Sequence, residues 1–185
     1  MHAGRPADGK TLFYIEVDSK SSSDIYGLPF GEPVADRKPV PLVMTAASER
    51  WPMLSTDQRW LAYESTTERG PSEIILRPYP NVNSAIHPVT IGAKPRWAPD
   101  GRAIYYWRDS RMFRVSVTKS PHFKSGNPEE IITGVLPITN GDLYDIAPDG
   151  KRFVVAKTDE APLLPQYRLV VNWIEEVKAR AGQRR

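Results

Sequence analysis

A short segment recurs four times along the chain, and this internal repeat constrains the fold more than any other feature. Each copy has an aspartate, a basic residue two positions later and a large apolar residue four positions later. The copies begin at Asp8, Asp57, Asp100 and Asp149, with spacings of 49, 43 and 49 residues. A regular period of this length predicts an array of similar structural units rather than one or two unrelated domains.

The repeated aspartates are typical of tight turns between strands. Three of them precede a glycine, in Asp8-Gly9, Asp100-Gly101 and Asp149-Gly150. The carboxylate of such an aspartate accepts hydrogen bonds from backbone N–H groups just ahead of it, and glycine tolerates a positive φ. Gln58 follows Asp57, so we expect this turn either to hold a left-handed glutamine at a cost of about 1 kcal/mol or to adopt another type.

The runs that follow each turn are apolar and aromatic, and only four or five residues long. They are too short for helices and match strands that are buried on both faces. The same reasoning places about four strands in each unit, with units at 1–47, 48–93, 94–140 and 141–172 of a single domain, 1–185. Asn172 and Glu175 form a capping pattern that predicts a short C-terminal helix over 173–181. Repeated four-stranded units indicate an all-β fold, a partial β-propeller of about four antiparallel blades.

Two segments carry a more specific resemblance. Residues 97–106 (WAPDGRAIYY) and 146–153 (IAPDGKRF) resemble the W-S-P-D-G-K/R-x-I-x-Y signature of TolB-type, WD-like β-propeller repeats. Residues 144–153 followed by 169–177 are similar to the closing segment of propellers at the C-terminus of bacterial multidomain proteins, such as propeller-bearing serine/threonine kinases. Propellers of this family usually have more than four blades, so the resemblance implies the C-terminal portion of a longer ring.

Composition excludes several kinds of site. The chain has no cysteine, so disulfides, thiolate metal sites and cysteine nucleophiles are impossible. The longest apolar runs are far shorter than the roughly 20 residues of a membrane-spanning helix, and the polar N-terminus does not resemble a signal peptide. The compartment is therefore undetermined. The net charge is +3, and part of the excess lies in the tail at Lys178, Arg180, Arg184 and Arg185. We expect no nucleic-acid partner, because the basic residues form no stripe.

The sequence has none of the common motifs for catalysis. It has no Gly-x-Ser-x-Gly, His-Glu-x-x-His, phosphate-binding loop or kinase signature. The repeated aspartates are isolated from one another, whereas a calcium loop needs several oxygen ligands within a dozen residues. The expectation at this point is that the chain is not an enzyme, has no catalytic residues and binds neither a cofactor nor a metal.

One set of positions remains as a candidate binding site. Asp145 lies four residues before its turn aspartate, and Met53 and Arg96 occupy the equivalent positions in the two preceding units. In a propeller these positions belong to the innermost strands, which line the central channel. A protein partner or small ligand at the channel mouth would meet Met53, Arg96 and Asp145.

The sequence thus predicts a noncatalytic propeller module for protein or ligand binding. One alternative is the sensor part of a bacterial serine/threonine kinase or transcriptional regulator. Another is the propeller of a prolyl-oligopeptidase-like hydrolase, although the predicted terminal helix argues against a following hydrolase domain. The first unit is short of an inner strand, so open blade edges are expected to favour a dimer or aggregation over a stable monomer.

Overall fold

A computed structural model describes residues 10–17, 22–31, 33–119, 122–133 and 144–155 of the chain. These residues form antiparallel sheets, and the all-β prediction is confirmed. The helix expected at 173–181 lies outside the described residues, as do Asp8 and Gly9.

The first sheet has three described strands in the order β1-β2-β3. They are β1 (Thr11–Val17), β2 (Ser23–Pro29) and β3 (Val40–Val43), with a short 3-10 turn at Val34–Asp36 before β3. Phe13, Ile25 and Val43 are fully buried, so each strand contributes at least one side chain to the core.

The second sheet is a four-stranded antiparallel meander. Its strands are β4 (Ser48–Leu54), β5 (Trp60–Thr66), β6 (Ser72–Pro78) and β7 (His87–Ile91). The two central strands are buried over four consecutive residues each, which explains why their sequences show continuous apolar runs rather than alternation.

The third sheet repeats this arrangement, with its outer strand split into two short pieces. It contains β8 (Ala93–Trp97), β9 (Ala103–Arg108), β10 (Arg111–Thr118), β11 (Lys124–Ser125) and β12 (Glu129–Ile132). Two strands of a fourth sheet are described, β13 (Tyr144–Ile146) and β14 (Phe153–Val155).

The core consists of layers between successive sheets. Leu61 and Tyr63 of β5 pack toward the first sheet, with Ile25 and Val43. Ala62 of the same strand packs on the opposite face, in the layer shared with the third sheet. The second blade is therefore covered on both faces by its neighbours, which is how a propeller buries short twisted sheets.

Candidate functional site

Successive strands run in opposite directions, so the connections of each blade divide between two faces of the molecule. The turns β4–β5, β8–β9 and β13–β14 contain the repeated aspartates and lie on what we call the turn face. The β5–β6 loop and the connection from β7 to β8 lie on the opposite side, the loop face. These two faces and the inner strands β4, β8 and β13 are the candidate surfaces for binding.

The three described repeat turns each contain the same kind of hydrogen bond. The carboxylate of each aspartate accepts the backbone N–H two residues later, at 3.2 Å for Asp57, 2.9 Å for Asp100 and 2.9 Å for Asp149. Gly101 and Gly150 both have φ of +66°. Gln58 has φ of +57°, so the glutamine adopts the left-handed conformation instead of changing the turn type.

Neighbouring turns contact one another around the turn face. Lys119 at the end of β10 pairs with Asp57 of the preceding blade, with Nζ 2.9 Å from Oδ2. Burial acts to raise the pKa of Asp57, but hydrogen bonds from Ser55, Lys119 and the Arg59 N–H outweigh it and lower the pKa to about 2. Each of these interactions links the Asp57 carboxylate to the turn or to the adjacent blade. Among the described residues, no three His, Asp or Glu side chains lie close enough to hold one metal ion.

The three predicted channel residues lie on the inner strands of successive blades, one on each strand, and we call this set the row. Nη1 of Arg96 on β8 donates to Sδ of Met53 on β4, at 2.8 Å. On its other side, Cζ of Arg96 lies 5.9 Å from the ring centre of Tyr144, the residue before Asp145 on β13. Met53 and Arg96 are half-buried and Asp145 is exposed. The row therefore crosses three blades.

A bulge precedes this row in both complete inner strands, and sequence reasoning missed it. Trp51 and Lys94 each have φ of +56°, and the pairing register of β4 and β8 shifts at these points. Both residues lie six positions before a turn aspartate. Nζ of Lys94 also lies 5.0 Å from the Trp51 ring centre. Only the shared repeat position could have indicated the bulge, because neither residue type favours a positive φ.

Tyr144 joins the third and fourth blades beneath the row. Its hydroxyl lies 2.8 Å from the carbonyl oxygen of Lys94 and 2.9 Å from that of Tyr105, and its single proton can be donated to either. Burial raises the pKa of Tyr144, the positive charge of Arg96 opposes that shift and the negative charge of Asp145 adds to it. The phenol therefore remains a neutral donor that holds the Lys94 bulge in place.

Comparison with solved structures identifies the fold. TolB from Acinetobacter baumannii matches with 17% identity and a TM-score of 0.54 over 72% of this chain and 32% of that one. The periplasmic gluconolactonase PpgL from Pseudomonas aeruginosa matches with 14% identity and a TM-score of 0.53 over 80% of this chain and 47% of that one. A protein from Bacteroides uniformis, whose proposed activity is that of a 6-phosphogluconolactonase, matches with 15% identity and a TM-score of 0.55, over 84% of this chain and 46% of that one.

These similarities show a TolB-like β-propeller fold, and the chain spans between a third and a half of the length of these structures. No protein-family model and no curated protein sequence matches the chain. Within the described residues there is no helix of the length and apolarity needed to cross a membrane.

The comparisons correct one expectation from the sequence. The conclusion that the chain is not an enzyme was wrong, because the structures that share its fold include a gluconolactonase. The missing motifs belong to serine hydrolases, zinc proteases, phosphate-binding loops and kinases. These motifs mark only those classes of protein, so their absence does not exclude catalysis on this fold.

Proposed function

We propose that the chain is a binding module of a TolB-like propeller and that its binding surface is the row formed by Met53, Arg96 and Asp145. The observation that carries this proposal is the contact between Arg96 and Met53, which places equivalent residues of adjacent blades side by side. Asp145 continues the row on the next inner strand and is open to solvent.

The chemistry of the row favours an acidic or zwitterionic group on the partner. A carboxylate oxygen is a stronger acceptor for the guanidinium N–H groups of Arg96 than the thioether sulfur of Met53. Asp145 adds an exposed negative charge that can accept an N–H or ammonium group. A peptide segment, or a small ligand that carries both charges, satisfies the two side chains together.

Selection from a phage-displayed peptide library tests this function. The full chain serves as bait, and enriched peptides are measured against the wild type, Arg96→Gln, Asp145→Asn and the control Arg102→Gln. Arg102 is exposed on the turn face, away from the row. We expect binding to weaken about tenfold or more in the first two variants, as for loss of one charged hydrogen bond, and to remain in the control. Equal binding by all four proteins, or no enriched peptide, would contradict the proposed site.

We further propose that the working ring contains more blades than this chain provides, since the chain spans half or less of the matched structures. The additional blades come from sequence in the same reading frame or from a second copy. A serine/threonine kinase or winged-helix sequence in frame upstream would identify the chain as the sensor part of a kinase or transcriptional regulator. A hydrolase sequence in the same frame would identify it as the propeller of a prolyl-oligopeptidase-like hydrolase. A stop codon and promoter directly upstream would exclude a fused sensor.

A further inference from the structure

A cleft of about 630 Å³ opens on the loop face of the second blade. Its volume lies within the range usual for small-ligand sites, roughly 300–1,000 Å³. The cleft lies where β4 begins, β5 ends and β6 begins, and its polar lining includes Ser48, Arg50, Glu64, Thr66, Glu68 and Ser72. Register places Ser48 opposite Thr66 and Arg50 opposite Glu64, so these side chains share the face of the sheet that turns toward the third blade.

Glu64 is the buried acceptor at the base of the cleft, with 7% of its surface exposed. Its Oε2 accepts the Lys94 N–H at 3.1 Å, and its Oε1 accepts the Ser72 hydroxyl at 2.9 Å. The Thr66 and Ser72 hydroxyl oxygens are 2.7 Å apart. The Thr66 hydroxyl also lies 3.4 Å from Glu64 Oε1, so its single proton is donated either to Glu64 or to Ser72. The Thr66 oxygen then has lone pairs available to accept a hydrogen bond from a ligand.

The rim of the cleft adds one donor group and one acceptor group. Arg50 and Glu68 are both exposed, and neither takes part in the ion pairs found among the described residues. Arg50 offers guanidinium N–H groups and Glu68 offers carboxylate oxygens. A ligand in this cleft therefore meets donors and acceptors together, with the buried charge of Glu64 already held by its own partners.

The repeat shows that blade packing does not require these polar groups. The residue equivalent to Glu64 is Trp107 in the third sheet and Ile15 in the first. Trp107 is buried and packs edge-on against Tyr144 of the next blade, with ring centres 5.9 Å apart. The loop after β5 is also longer, with residues 67–71 between the strands compared with 109–110 after β9. The second blade thus replaces an apolar interblade contact with a polar cleft.

We propose that this cleft is a binding site for a neutral, polyhydroxylated ligand of monosaccharide size. Hydroxyl groups both donate and accept, which matches a lining that contains the Thr66 oxygen, the Glu68 carboxylate and the Arg50 guanidinium. A neutral ligand introduces no further charge beside Glu64. The site is separate from the inner-strand row and does not depend on it.

NMR titration of the full chain tests the site with D-glucose, D-galactose, D-mannose and D-ribose as separate probes, each taken to millimolar concentrations. We expect at least one sugar to produce saturable shifts in the amides of residues 46–50 and 64–72. Gluconate and L-alanine are titrated in parallel, because they carry the charges that the proposed ligand lacks.

Three variants locate the binding. Arg50→Ala removes an exposed side chain and is expected to weaken sugar binding about tenfold, and Thr66→Val, of similar volume, is expected to do the same. Arg102→Ala removes an exposed arginine on the turn face and should bind as the wild type does. Thermal unfolding of each variant separates a lost contact from a lost fold.

Each outcome decides the proposal. Saturable shifts that weaken in Arg50→Ala or Thr66→Val, with the control unchanged, would support the cleft. The site would be ruled out by an absence of saturation with all four sugars in the wild type, or by equal affinity in both cleft variants. Binding of only gluconate or L-alanine would overturn the ligand class.

Discussion

At the residue scale, Gln58 carries a conformational cost that its counterparts avoid. Gly101 and Gly150 occupy the same turn position without a Cβ, whereas Gln58 holds φ of +57°. A left-handed conformation costs an ordinary residue about 1–2 kcal/mol. Glycine avoids this cost, but it also makes the unfolded chain more flexible, which lowers the free energy of unfolding and offsets part of the gain. The β4–β5 turn therefore keeps its shape because the surrounding blade outweighs a local preference.

We predict that Gln58→Gly increases the free energy of unfolding by about 0.5–1 kcal/mol, measured by urea denaturation. Gly150→Ala provides the reverse experiment, because an added Cβ there would meet no atom closer than 3.7 Å. It should lower the stability by a similar amount through backbone strain alone. A destabilised Gln58→Gly would show that the glutamine side chain contributes contacts that exceed the strain.

Glu49 is the second residue with an unfavourable environment. It is fully buried between the first two blades, and its Oε1 accepts the Thr45 hydroxyl at 2.5 Å. Its Oε2 has no hydrogen-bond partner among the described residues. Burial raises the pKa of Glu49, the Thr45 hydrogen bond opposes that shift, and the nearby charge of Asp24 adds to it.

A raised carboxyl pKa means that the folded state binds the proton more tightly than the unfolded state. The stabilisation from protonated Glu49 is complete below the unfolded pKa of 4.5 and is lost as the pH rises through the folded pKa. We predict that Glu49→Gln, which keeps an acceptor for Thr45, stabilises the fold more at about pH 7 than at about pH 4. Glu73→Gln, at an exposed position of β6, should show no such trend. A gain that is equal at both pH values would refute the argument.

At the element scale, the junction between the second and third blades depends on the absence of a side chain at Gly92. This residue links β7 to β8, and a Cβ there would overlap the Tyr106 ring and lie 3.0 Å from the Trp107 carbonyl oxygen. Tyr106 is fully buried in the layer between these blades, so it has little room to move.

We predict that Gly92→Ala lowers the free energy of unfolding by about 1–3 kcal/mol, the usual cost of overpacking a core. Gly31→Ala is the matched control, because an added Cβ at Gly31 meets nothing within 4 Å. Calorimetric unfolding of the two variants measures the difference. Equal stability of both would mean that the blades can separate at this junction without cost.

At the scale of the whole molecule, the described part of the ring has an unpaired edge. In the described residues, β1 is hydrogen-bonded only to β2, whereas its counterparts β5 and β9 each have a strand on both sides. The β1 sequence, TLFYIEV, is largely apolar and has strong strand propensity. Such an edge favours pairing with another strand.

We predict that the isolated chain self-associates at micromolar concentration. Light scattering coupled to size-exclusion chromatography measures this directly, and Ile15→Lys on β1 should reduce the association, because a charge on an edge strand opposes pairing. Val34→Lys, at an exposed position in the 3-10 turn outside the strands, serves as a control for added charge alone. A folded monomer of 20.9 kDa across this concentration range would contradict the prediction.

The sequence by itself determined the repeat, the turn chemistry and the all-β fold. These features are local, because the aspartate accepts an N–H group of its own turn and the short apolar run lies directly beside it. Both act within one blade, so the same sequence pattern recurs in every copy. For the same reason the equivalence of Met53, Arg96 and Asp145 was readable from spacing alone. The boundaries of the units remain a prediction.

Only the tertiary structure decided what happens between blades. The Trp51 and Lys94 bulges, the buried Glu49 and the polar cleft at Glu64 all depend on residues far apart in sequence. Nothing local distinguishes Glu64 from an exposed strand glutamate until Lys94 of the next blade donates its N–H to it. Packing between blades buries both Glu64 and its counterpart Trp107, so a single departure from the repeat places a polar cleft where the next blade has an apolar contact.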